Sequence, residues 1–115
     1  MSNSCLFCRI VEKKIPSAIV YEDQHVFAFE DVNPQAPVHI LVVPKKHIPD
    51  IQSMAEIDRE LVGHLFLAAA KIATLKDIVE KGYRTVINNG AGAGQSVFHI
   101  HLHILSGRRF AWPPG

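Results

Sequence analysis

At 115 residues the chain has room for one domain with a modest hydrophobic core. Its 48% hydrophobic and 20% charged residues match an ordinary globular protein, which excludes a disordered or fibrous chain. A net charge of +1, with no basic run and no apolar stretch of bilayer-spanning length, argues against nucleic acid or membrane as partner. Met1-Ser2-Asn3-Ser4 lacks the charged and apolar regions of a secretory signal. The expectation is a cytoplasmic protein with residues 1–4 disordered and no internal repeat.

In chain order, Cys5-Leu6-Phe7-Cys8 comes first. A C-x-x-C motif is half of a metal site, a redox pair or chance. A thioredoxin-like role needs a preceding strand and a βαβ setting, and a zinc site needs two more ligands, for which His47 and one downstream histidine are the candidates. The bland alternative is two reduced thiols packed beside a sheet. Residues 6–14 carry Leu6, Phe7, Ile10 and Val11 at helical spacing, and Ile15-Pro16 ends that helix. Residues 18–22 and 26–31 read as two strands with a turn at Asp23-Gln24. Phe27, Phe29 and Asp31 alternate onto one face, which suits an aromatic base and a ribose. Asp31 is either the residue that starts a turn before Asn33-Pro34 or a carboxylate for ribose hydroxyls, with Val32 beside it. Residues 38–44 form an apolar strand that contains an isolated His39, and Lys45 and Lys46 make a solvated rim at its end.

One long helix follows, with Ser53 as N-cap and Glu56 completing a capping box. Ile57, Leu61, Leu65, Ala68 or Ala69, and Ile72 make its apolar stripe, and Leu67, Ala70 and Leu75 make a second greasy face. A helix apolar on two faces packs on two surfaces. Residues 77–81 break the pattern, and residues 83–88 read as a strand that ends at Asn88. From Gly90 to Gly94 three glycines alternate, which lets the backbone approach a ligand and aim N–H groups into an anion nest; a plain glycine hairpin is the alternative. The loop feeds into His99-Ile100-His101-Leu102-His103-Ile104-Leu105, a period-2 pattern that predicts a strand with three imidazoles on one face and Ile100, Leu102 and Ile104 on the other. Ser96 lies five residues before His101, where a hydroxyl can hand a proton to a leaving group. Residues 106–115 form a tail whose stiff Trp112-Pro113-Pro114 suggests docking; an untethered tail is the alternative.

His-Ile-His-Leu-His-Ile-Leu resembles the His-φ-His-φ-His-φ-φ motif of the histidine triad (HIT) superfamily of nucleotide hydrolases and transferases. Gly94-Gln95-Ser96 and the terminal Ala111-Trp112-Pro113-Pro114-Gly115 are similar to its Hint branch, the histidine triad nucleotide-binding proteins or purine nucleoside phosphoramidases. The diadenosine-polyphosphate hydrolase branch usually carries Thr in place of Ser96. The resemblance covers residues 5–115. It implies an α+β fold: a five-stranded antiparallel sheet with one long and one short helix, paired into a homodimer with a continuous sheet. Residues 1–115 would then be a single HIT domain whose tail sets Trp112 near the partner's active site.

For the site, the resemblance implies a nucleoside pocket walled by Leu6, Phe7, Ile10, Ile15 and Phe29, with Asp31 on the ribose and Val32 beside it. Asn88 would contact the region of the 5′ oxygen, and His39 would stand next to the triad. Some bacterial members resemble this chain in a structural zinc site, here Cys5, Cys8, His47 and His99; a metal on His99 would leave it to orient the strand rather than act as acid or base. The expected reaction is hydrolysis of a nucleoside 5′-phosphoramidate, AMP joined to an amine. His101, mid-row and neutral at its ordinary pKa near 6.5, attacks the α-phosphorus and forms a nucleotidyl-histidine. N–H groups of Gly94, Gln95 and Ser96, together with His103, stabilise the non-bridging oxygens, and Ser96 relays a proton to the leaving amine. No cofactor is required for this chemistry. The alternatives are a dinucleoside-polyphosphate hydrolase and a non-catalytic purine-nucleotide-binding protein.

Overall fold

The structure, a computed structural model, describes residues 4–115. The expectation of disorder at residues 1–4 therefore falls, except for Ser4, outside the described residues. In chain order the elements are α1 (Leu6–Val11), β1 (Ile19–Glu22), β2 (Val26–Glu30), β3 (Val38–Pro44), α2 (Arg59–Leu75), β4 (Arg84–Val86) and β5 (Leu102–Ser106). Short 3-10 turns lie at Ile51–Ser53, Glu56–Asp58 and Ala91–Ala93. The five strands form one antiparallel sheet in the order β1-β2-β3-β5-β4. This is the α+β architecture, with one long and one short helix, that the sequence predicts. Among the described residues no helix is long and apolar enough to cross a membrane.

The sheet separates two cores because side chains alternate across a strand. On one face Val26, Ala28, Ile40, Val42, Leu102 and Ile104 pack against Leu65, Ala68, Ala69, Ile72 and Ala73 of α2. On the other, Phe27, Phe29, Leu41 and Val43 meet Phe7 and Ile10 of α1. β3 lies between β2 and β5 and is covered on both sides, so it reads as a continuous apolar run instead of an alternation. Its register sets Leu41 opposite both Phe29 and His103.

Several boundaries depart from the sequence pattern. α1 stops at Val11, and Lys13 takes a positive φ of 63° that ends the helix before Pro16 can. Asp50, not Ser53, is the cap ahead of the long helix: its Oδ1 accepts from the Ser53 N–H at 2.9 Å and the Ser53 hydroxyl at 2.7 Å. Asp58 takes the part expected of Glu56, accepting the Ala55 N–H at 2.9 Å while Lys46 holds it at 2.6 Å. Because Glu56–Asp58 is a 3-10 turn, Ile57 falls out of the helical stripe and is 83% exposed. Leu67, Ala70 and Leu75 are exposed on α2, as is Phe66, so the second apolar face is uncovered in the single chain. β4 is only three residues long. β5 begins at Leu102, which leaves His99 and His101 ahead of the strand; the Ile100 N–H donates to the Ile48 carbonyl at 2.7 Å in place of a ladder partner.

Candidate active site

On the α1 side of the sheet, a cleft of about 300 Å³ opens between α1, β2, β3 and the approach to β5. Leu6, Phe7, Ile10, Ile15, Phe29, Asp31, Val32, Ser96, His101 and His103 all line it, so the structure brings together most of the residues singled out in the sequence. Its walls are aromatic and aliphatic: Phe7 meets Phe29 edge-on at 5.5 Å and His101 edge-on at 5.0 Å. Val32 stands fully exposed at the rim.

Hydrogen bonds fix the protons of the histidines. His101 donates from Nδ1 to the His99 carbonyl at 2.9 Å, which leaves its Nε2 lone pair bare on the side of the cleft. The Gln35 N–H donates to His39 Nδ1 at 3.0 Å, so the His39 proton sits on Nε2, 2.9 Å from His103 Nδ1. His103 therefore carries its proton on Nε2. Among the described residues that nitrogen is the buried side-chain polar atom left without a partner. The two rings, 5.0 Å apart, thus present opposite groups: a nucleophilic lone pair on His101 and a hydrogen-bond donor on His103. Burial lowers the pKa of His101, offset in part by the His99 carbonyl and the Asp31 charge. Burial, together with His101 and His39, pushes His103 down to about 4. Burial likewise lowers His39, against the pull of Asp31. The row is neutral near pH 7.

Asp31 takes the turn-starting role and also lines the cleft. Its Oδ1 accepts the Asn33 N–H at 2.9 Å, as a turn-starting Asp does, while Oδ2 lies 3.3 Å from His39 Nε2 on the cleft wall.

The glycine loop is less of a nest than its composition predicts. Gly90 and Gly94 adopt positive φ (92° and 100°), but the N–H groups of Gly94 and Gln95 are spent on the Ala91 and Gly90 carbonyls. The Gln95 side chain, 3% exposed, braces the loop: Oε1 accepts the Gly90 N–H at 2.8 Å, and Nε2 donates to the carbonyls of Pro49 and Val97 at 2.7 and 3.1 Å. Among the described residues no carbonyl takes the Ser96 N–H, and Ser96 is part of the cleft lining. Asn88 lies beside Gly94 and not on the cleft wall. Trp112 is 81% exposed and away from the cleft of its own chain, on a tail held by Arg84, which bonds the Ala111 carbonyl at 3.0 Å and covers the Phe110 ring.

Cys5, Cys8, His47 and His99 converge. Both sulfurs lie 3.4–3.5 Å from His99 Nδ1, Cys8 Sγ is 3.4 Å from His47 Nδ1, and the two Nδ1 atoms are 3.2 Å apart. A tetrahedral metal centre with bonds of about 2.0–2.3 Å spaces its ligands by about 3.5 Å, so the four donors fit. The outer contact fits too: His99 Nε2 is 2.8 Å from the Pro44 carbonyl, to which it donates, turning the Nδ1 lone pair to the cluster. Burial, then the neighbouring His47 and His101, pushes His99 down to about 4, in keeping with a neutral ligand.

Residues that the sequence did not flag also line the cleft, among them Leu41, Val97, Pro16, Ser17 and Glu30. Leu41 had a signal: it lies two residues after His39 and two before Val43, hence on the same face of β3. Val97 had none, because an irregular segment has no period.

The HIT domain family matches residues 12–110. An uncharacterized HIT-like protein of Synechocystis is 52% identical over 115 residues, all of both chains, and another from Synechococcus elongatus is 50% identical over the same span. Among solved structures, a HIT family hydrolase from Legionella pneumophila aligns with TM-score 0.94 and 48% identity, covering 96% of this chain and 99% of that one. A histidine triad nucleotide-binding protein from Candida albicans aligns with TM-score 0.82 and 27% identity, covering 95% and 82%.

Proposed function

The chain belongs to the HIT domain family, and from that premise we propose that it hydrolyses nucleoside 5′-phosphoramidates of the AMP–amine type through a nucleotidyl-histidine. The observation that carries this reading is the pair of opposite tautomers, Nε2 bare on His101 and protonated on His103. The base and ribose occupy the aromatic cleft, with the ribose hydroxyls on Asp31. His103 Nε2–H and the Ser96 N–H hold the non-bridging oxygens of the α-phosphate. The His101 Nε2 lone pair attacks phosphorus, the P–N bond breaks, and its electron pair leaves on nitrogen, which takes a proton from the Ser96 hydroxyl as solvent returns one to that oxygen. The positive charge on the His101 ring is dispersed through Nδ1–H to the His99 carbonyl. Water then attacks phosphorus, the N–P bond to His101 breaks, and nucleoside monophosphate leaves as the water's proton passes to solvent.

Ser96 and the Ala111-Trp112-Pro113-Pro114-Gly115 tail support the Hint branch within the family. The uncovered face of α2 supports a homodimer in which the tail reaches the partner's site. Cys5, Cys8, His47 and His99 would hold a structural zinc, which supplies a clamp between the start of α1, the end of β3 and the approach to β5. With four protein ligands it has no open position for substrate. Thiols kept reduced as ligands suit the cytoplasm.

Intact-mass spectrometry after rapid mixing with adenosine 5′-phosphoramidate tests the reading. The expected result is a transient gain of one nucleotide that maps to His101 and disappears in His101→Asn. Faster cleavage of diadenosine triphosphate than of the phosphoramidate would reverse the assignment of the leaving group. Turnover unchanged in His101→Asn would remove the nucleophile, and nucleotide binding with no turnover in the parent would leave a binding protein.

A further inference from the structure

The Cys5–Cys8 pair is reachable from solvent on one side and linked to His101 on the other. Cys5 is half-buried in the wall of a second cavity of about 420 Å³, which His47 and Phe98 also line, while Cys8 is buried behind it. No disulfide joins them. Cys5 caps α1 and its Sγ accepts the Cys8 N–H at 3.4 Å; the two sulfurs lie within 4.8 Å of each other. A disulfide bond is about 2.05 Å long, so the sulfurs need to close by less than about 3 Å, a distance that side-chain rotation in this first turn supplies. Two contacts carry such a change to His101. The sulfurs of Cys5 and Cys8 are partners of His99 Nδ1, at 3.4 and 3.5 Å, and the His99 carbonyl accepts the His101 Nδ1–H at 2.9 Å. Phe7, between the two cysteines in sequence, meets His99 edge-on at 6.0 Å and His101 edge-on at 5.0 Å.

We propose that Cys5 and Cys8 form an oxidative modification site: hydrogen peroxide converts them to a disulfide, which opens the Cys5–Cys8–His47–His99 cluster and displaces His101. Cys5, on the cavity wall, is the sulfur attacked. The peroxide O–O bond breaks as this sulfur takes one oxygen, giving a sulfenic acid and one water. The Cys8 sulfur then attacks the Cys5 sulfur, the S–O bond breaks, and the oxygen leaves as a second water. Two thiols and one hydrogen peroxide become one disulfide and two waters. Where the pair holds zinc as thiolates, two protons from solvent complete the balance and the ion is freed. A dithiol reverses the reaction by exchange. The effect on turnover rests on the reading of His101 as nucleophile; the disulfide and the movement of the ring do not.

The test treats the reduced full chain, with and without added zinc, with hydrogen peroxide, and follows it by intact mass, peptide mapping and ¹⁵N NMR of the histidine rings. The expected result is a loss of two hydrogen masses that maps to a Cys5–Cys8 disulfide, together with a shift of the His101 Nδ1 signal, both reversed by dithiothreitol. A chromogenic chelator is expected to report zinc released in the same step from the loaded protein. With adenosine 5′-phosphoramidate, kcat is expected to fall by about tenfold or more in the oxidised form, since a misplacement of about 1 Å costs up to about 100-fold. Thiols that survive peroxide, or Cys5 carried on to a sulfinic acid with Cys8 untouched, overturn the site. A disulfide that leaves the His101 signal in place overturns the coupling. A disulfide with the His101 shift, in a protein that does not turn over the phosphoramidate, upholds the inference and removes only the proposed reaction.

Discussion

A buried base that stays neutral is the central device at the scale of single residues. Burial sets His101 below the ordinary imidazole value of 6.5. In the proposed reaction only the neutral ring attacks, and a lowered pKa keeps it neutral as pH falls. The acid limb of the kcat/KM profile is therefore expected below 6.5; a limb above that value would show that a different group is titrating. The three triad histidines were legible because alternating imidazoles in an apolar strand pattern have no packing explanation. The contact between Asp31 and His39 was not legible. Eight residues separate them, and only the return of the chain through β3 closes the gap to 3.3 Å.

Elements are held by a few close contacts that can be broken one at a time. Gly107 follows β5 at φ 98°, and a Cβ there would lie 2.8 Å from Pro37 Cβ, just ahead of β3. Gly107→Ala combines left-handed strain with that overlap and is expected to cost about 2–4 kcal/mol in urea unfolding. The Cys5–Cys8–His47–His99 cluster joins α1 to the ends of two other segments. Cys8→Ser, or chelation of metal-loaded protein, is expected to lower Tm and to loosen Phe7 from His101; an unchanged Tm after metal release would show that the cluster carries no clamp. Element boundaries were the least legible feature. The first capping residue of the α2 approach is Asp50 because tertiary contacts, notably Lys46 on Asp58, reshape that approach into two 3-10 turns.

For the molecule as a whole, the neutral histidines link folding to pH. His99 and His103 fall to about 4 in the folded chain. Between pH 6.5 and 4 the unfolded chain binds protons that the folded one refuses, so stability rises with pH across that window. Metal-free protein is expected to lose stability progressively as pH drops from about 6.5 to 4, by up to about 3 kcal/mol for each ring. Denaturant titrations at pH 7, 5.5 and 4 measure this, and a flat profile would mean the rings are already charged in the fold.

The period of apolar residues determined the strands and the row of histidines, because these depend on local spacing and on which side of a strand a residue falls; the fold class and the cleft walls came from the family resemblance that the histidine motif carries. Only the tertiary structure decided which nitrogen of each ring bears a proton. That choice is made by partners distant in sequence or on the backbone: Gln35 for His39, the His99 carbonyl for His101, Pro44 for His99. It also decided that Gly94 and Gln95 serve their own loop, since an amide that closes a turn is no longer available to a ligand, and no sequence pattern records how a donor is spent.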